Sequence, residues 1–204
     1  MNTADHFKDY FTRLKDTLDR LDVKVIEQVV EVLLKCREED RTMFIFGNGG
    51  SAANASHIAG DFLKGISYGM DKRFKAHSLV DNIAGTTAIT NDLSYSEVFI
   101  EQLKTFMNKG DVVIGISGSG NSENVVKAIE WAGKNGATTV AMVGYKGGRL
   151  GSIANIVVHV PVNDMEITED VHTMIFHAIK QEINRRIKGD NYSMGDQYDK
   201  RINA

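Results

Sequence analysis

Asp111-Val112-Val113-Ile114-Gly115-Ile116, followed directly by Ser117-Gly118-Ser119-Gly120-Asn121-Ser122, is a short apolar run that breaks into a loop of small and hydroxylic residues. After Asp111 the run shows no polar–apolar alternation, so both of its faces must be covered, as they are for a strand inside a parallel sheet. Thr42–Phe46, Thr138–Val143 and Asn155–Val160 have the same β-branched, nearly continuous apolar character, and Ala76–Leu79 and Gly85–Ile89 are weaker strand candidates. Helical stretches are expected between them at 52–65, 94–108, 121–135 and 167–188. Strands alternating with helices predict an α/β fold with right-handed crossovers: a three-layer αβα sandwich on a mainly parallel five-stranded sheet. Pro161, the one proline, falls just past a strand end, where its missing N–H breaks no ladder.

Before the first strand, Phe7, Tyr10, Phe11, Leu14, Leu18 and Leu21 recur at helical spacing. Asp22 is placed as the N-cap of a second amphipathic helix carrying Val25, Ile26, Val29, Val30 and Leu33. These two stripes need a cover, and a second subunit is one candidate. The expected organisation is one unit over 1–204, with a helical extension at 1–38, the αβα core at 39–190 and a tail at 191–204.

The 204 residues include 24 basic and 27 acidic side chains for a net charge of −3, and 42% are hydrophobic. That composition excludes a disordered chain and supplies no general attraction for nucleic acid or an anionic membrane, so neither is expected as a partner. The opening residues carry no basic segment followed by an apolar run, and no stretch approaches the ~20 apolar residues of a membrane span, so a cytoplasmic location is expected. Cys36 is the only cysteine, which leaves no intramolecular disulfide or CxxC zinc site; its apolar surroundings predict a small core residue.

In open α/β sheets ligands bind beyond the carboxyl ends of the strands. Two strand-to-helix loops stand out there. Gly47-Asn48-Gly49-Gly50-Ser51-Ala52 formally matches the dinucleotide fingerprint, but about 20 residues on stands Ser67, with Asp71 only nearby, so no nucleotide cofactor is expected. Ser117–Ser122 combines glycines that admit an anion to the backbone, three hydroxyls and the start of a helix, which makes a phosphate cradle. No GxxxxGK[ST] sequence occurs.

His57 and Asp61 are four residues apart on the first of these helices. Glu169, Thr173 and His177 form a ridge on the 167–188 helix, each step advancing about 40°. Val171, Met174, Ile175, Ala178 and Ile179 define the expected buried stripe, with His172 placed on the solvated surface. An imidazole and a carboxylate on each of two helices suit either general acid–base chemistry or a four-ligand site for zinc, provided the helices meet.

Taken together, Gly47-Asn48-Gly49-Gly50-Ser51 with His57, the Gly115–Ser122 run, Asn91-Asp92, and Glu169-Asp170-Val171-His172 with His177 resemble the sugar isomerase (SIS) family, and within it the sedoheptulose-7-phosphate isomerases. The resemblance implies isomerisation of D-sedoheptulose 7-phosphate to D-glycero-D-manno-heptose 7-phosphate for nucleotide-activated heptose synthesis, in a homotetramer whose active sites are shared between subunits. It implies Ser51, Ser117, Ser119 and Ser122 on the phosphate, aided by Gly49, Gly50 and Gly118, with Asn48, Asn91, Asp92 and Glu169 also at the substrate. Asp61 and His177 would transfer protons, and His57, Asp61, Glu169 and His177 would hold Zn²⁺ where a metal is bound. Three positions depart from the usual pattern: Asp61 stands for Glu, Glu169 for Gln and Gly118 for Thr. The other readings are a non-catalytic regulator of this fold that binds the replication initiator, which Ser51-Ala52-Ala53-Asn54-Ala55 resembles, and a sugar-phosphate sensor without turnover.

Overall fold

The computed structural model describes residues 2–190, 193 and 195; the expected tail at 191–204 otherwise lies outside the described residues. Two helices, α1 (Thr3–Leu18) and α2 (Val23–Glu38), precede the first strand. The strands are β1 (Thr42–Gly47), β2 (Lys75–Ser78), β3 (Val112–Ser117), β4 (Thr138–Val143) and β5 (Ile156–His159). The remaining helices are α3 (Gly50–Gly60), α4 (Ile83–Asp92), α5 (Val98–Phe106), α6 (Glu123–Lys134), α7 (Leu150–Ile153) and α8 (Met165–Lys188). A π-helical turn, Asp61–Ile66, continues α3.

All pairings are parallel, in the order β2-β1-β3-β4-β5. Alternate strand residues feed two separate cores. Met43, Ile45, Ile114, Ile116 and Met142 pack with α2, α3 and α8, whereas Phe44, Phe46, Val113, Ala141 and Val143 pack with α5 and α6. The uninterrupted apolar runs are thus explained by coverage on both faces. Asp111 is buried and fixes the starts of the central strands, accepting from Thr42 N at 3.0 Å and Asn108 N at 2.7 Å. Cys36 is a buried core residue, and burial pushes its thiol up to about 12.

Several expectations need correction. Gly85–Ile89 lies inside helix α4: Asn82 caps it by accepting from Gly85 N at 2.9 Å, and the Thr87 and Thr90 hydroxyls donate back to helical carbonyls, so β-branched residues are held helical. The stripe of α2 is covered within the chain, since Val29, Val30 and Leu33 are buried in the core that contains α8. On α1, Tyr10 and Leu14 pack inward while Phe7 and Phe11 stay 57% and 64% exposed. His172 is fully buried, and Met174 is exposed, as is Ala178; the inward face of α8 runs through Ile167, Val171, His172, Ile175, Phe176 and Ile179. Among the described residues no helix is long and apolar enough to cross a membrane.

Candidate active site

The strand order turns back between β1 and β3: the chain places β2 on one side of β1 and the remaining strands on the other. The loops leaving these two neighbours therefore lie side by side at a topological switch point. Between them is a cleft of about 250 Å³ lined by Asn48, Gly49, Gly50, Ser51, Ser117, Gly118, Ser119 and Ser122, with Met165 and Glu169 of α8 at its edge.

The hydroxyls are held in a cluster. Ser117 Oγ is 3.0 Å from Ser122 Oγ and 3.5 Å from Ser119 Oγ, and Asn121 N donates to Ser119 Oγ at 3.2 Å. Ser122 is the N-cap of α6, yet its side chain makes no capping bond, so the hydroxyl is directed at Ser117 instead. Gly120 turns the loop at φ +66°, where a Cβ would run into the Gly147 carbonyl. With α3 and α6 both starting at the cleft, two sets of first-turn N–H groups add positive dipole without net charge. The arrangement suits a phosphate.

Asn48 lines the cleft, but its amide also ties the loops together: Nδ2 donates to Asn124 Oδ1 at 2.9 Å, and Oδ1 accepts from Tyr95 Oη at 2.8 Å. Asn91 and Asp92 are not among the lining residues; they end α4, exposed and bonded to each other at 2.8 Å. Met165 sits where a side chain on Gly118 would project, a Cβ there lying 2.6 Å from its sulfur, so the absent Thr methyl is replaced by a thioether from α8.

Whether α3 and α8 meet could not be read from periodicity; Asn54 joins them. Its Oδ1 accepts from Thr173 Oγ1 at 2.8 Å and its Nδ2 donates to the Glu169 carbonyl at 3.1 Å. One turn further along, His57 Nε2 and His177 Nε2 lie 3.7 Å and 3.6 Å from Asp61 Oδ2, with the two rings edge to face at 5.1 Å. The ligand atoms of these three residues fall within 4.8 Å of one another, a nitrogen and oxygen set that fits a divalent cation. Glu169 is outside this group. Its carboxylate lies against Gly50 at the serine cleft, and burial, with Glu166 and Asp170 nearby, raises its pKa above the usual carboxylate range.

Lys180, three residues after His177 on α8, adds a cation that the sequence does not single out: its ammonium is 2.5 Å from Asp61 Oδ1.

An all-parallel αβα sandwich with a hydroxyl-lined cleft at its switch point defines a class, and residues 6–144 match the SIS domain family, to which the chain belongs. The phosphoheptose isomerase of Thermodesulfovibrio yellowstonii is 39% identical over 174 residues, covering 82% of this chain and 83% of that one. The phosphoheptose isomerase of Helicobacter pylori strain P12 is 36% identical over 178 residues, covering 87% and 92%. The structure of phosphoheptose isomerase GmhA from Neisseria gonorrhoeae superposes with a TM-score of 0.81 at 30% identity, covering 89% of this chain and 96% of that one. Within the SIS domain family the chain stands with these proteins, and it is a phosphosugar isomerase.

Proposed function

We propose that the protein interconverts D-sedoheptulose 7-phosphate and D-glycero-D-manno-heptose 7-phosphate, supplying nucleotide-activated heptose synthesis in the cytoplasm. The observation that carries this reading is the course of α8 from the serine cleft, at Glu169, to the imidazole–carboxylate cluster, at His177. Eight residues of α-helix span about 12 Å. An extended seven-carbon chain with a terminal phosphate reaches about 10 Å from phosphorus to C1 at ordinary bond lengths, so a phosphate in the cleft brings C1 and C2 to the cluster.

Ser51, Ser117, Ser119 and Ser122 with the first-turn N–H groups of α3 and α6 hold the phosphate. Asp61 takes a proton from C1 of the ketose; the C–H electrons become the C1–C2 double bond of an enediolate, with the charge on O2. His177 moves the hydroxyl proton between the two oxygens, and the proton on Asp61 returns to C2, giving the aldose with no net redox change. His57, Asp61 and His177 would hold a divalent cation such as Zn²⁺, which when bound supplies Lewis acidity for the carbonyl oxygen. The exposed Phe7 and Phe11 of α1 support burial of this face in a homotetramer.

Incubating the protein with sedoheptulose 7-phosphate and following aldose formation by NMR tests the reading; no product after many enzyme equivalents overturns it. Ser119→Ala is expected to raise KM with little change in kcat, because one hydrogen bond to a charged group is worth about 1.5–3 kcal/mol. Calorimetric titration with Zn²⁺ checks the ligand set. Glu169→Gln should leave the affinity unchanged, whereas His57→Ala should weaken it beyond the roughly tenfold that loss of an outer-shell partner costs.

A further inference from the structure

The two oxygens of Asp61 have separate partners. Oδ2 faces His57 and His177, while Oδ1 is bound by the Lys180 ammonium at 2.5 Å. The lysine and aspartate side chains are 16% and 21% exposed; among the described residues no other ion pair has both members below a quarter exposed. Room for the lysine comes from Gly65, four residues after Asp61 in the π-helical turn. A Cβ at Gly65 would lie 2.8 Å from Lys180 Cε, 3.0 Å from Nζ and 3.5 Å from Asp61 Oδ1. The φ of Gly65 is not left-handed, so the backbone does not require glycine there; what glycine provides is space.

We propose that Lys180 is a positioning residue for the isomerisation. It anchors Oδ1 so that Oδ2 is presented in one orientation to the reacting carbons, and Gly65 is the gap that admits it. An aspartate carboxylate is otherwise free to turn, because its terminal torsion is broad and two-fold. Misplacement of a reacting group by an ångström costs up to about a hundredfold in rate.

The proposal rests on Asp61 being the base, and the experiment separates the two ideas. The kcat and KM for sedoheptulose 7-phosphate are measured for Lys180→Met, Gly65→Ala and Asp61→Asn. Lys180→Met is expected to lower kcat about tenfold to a hundredfold with KM nearly unchanged. Gly65→Ala keeps the lysine charge and displaces the ammonium, so it should lower kcat by a smaller factor, again without a KM change; if Lys180→Met does not fold, Gly65→Ala carries the test. Parent-like kcat in the folded lysine variant together with an inactive Asp61→Asn overturns the positioning role. A rise in KM at constant kcat also overturns it, because the lysine would then be binding substrate. An active Asp61→Asn instead removes the base assignment itself.

Discussion

Asp61→Asn is expected to lower kcat by roughly 10²–10⁴, the usual worth of a positioned general base. Asparagine keeps the size of the side chain and retains an oxygen for Lys180, so packing of the π-helical turn is preserved and the serine cleft is untouched. KM should therefore change little. The measurement is conversion of sedoheptulose 7-phosphate by NMR at saturating substrate, with the melting temperature as a control for folding. A variant keeping more than a tenth of the parent rate would move the base to Glu169, the carboxylate at the serine cleft, whose pKa burial raises.

The second large effect concerns acid stability. His172 is fully buried, and burial pushes its pKa from 6.5 down to about 4, offset only in part by the Val143 backbone. The folded protein holds this imidazole neutral while the unfolded chain takes up a proton once the pH falls below 6.5. Stability from this residue is complete above that value and is lost as the pH falls through about 4, a change of about 3 kcal/mol. Urea unfolding of the parent at pH 7 and pH 4.5 should show much of this loss, and His172→Leu should show correspondingly less. An equal pH dependence in the two proteins would place the acid sensitivity elsewhere.

His172 also shows where reading the chain fell short. Hydropathy alone puts the inward face of α8 through Val171, Met174, Ile175, Ala178 and Ile179, the apolar residues that the phase allows. The real face is rotated toward His172 and Phe176, and a polar residue in the middle of it conceals the phase from any hydropathy count. Helix α4 failed for the opposite reason. It buries no residue completely, so it has no inward face to betray it, and its threonines imitate a strand. The inner strands β1, β3 and β4 were legible because burial on both faces leaves mostly apolar residues. The place of the serine loop at the cleft was legible because small hydroxylic residues directly after a buried strand mark its carboxyl end. The Lys180–Asp61 pair was not, since nothing in one helix's sequence says that a glycine in another has made space for its lysine.

The position of α8 in the chain has a consequence for biogenesis. The central pairing joins Met43–Gly47 to Val112–Ile116, so the side of β1 that faces away from β2 waits for a partner synthesised long after it, and such non-local pairings are slow to form. Everything that lines the serine cleft, apart from the rim supplied by α8, is present once α6 has been made. Glu169, His177 and Lys180 arrive only with α8, after all five strands. A nascent chain halted before Met165 would therefore carry the serine cleft and Asp61 without His177 and Lys180, and an apolar sheet face without part of its cover. Turnover thus waits for the same helix that hides this adhesive surface, so the step that removes the risk of aggregation also switches the enzyme on.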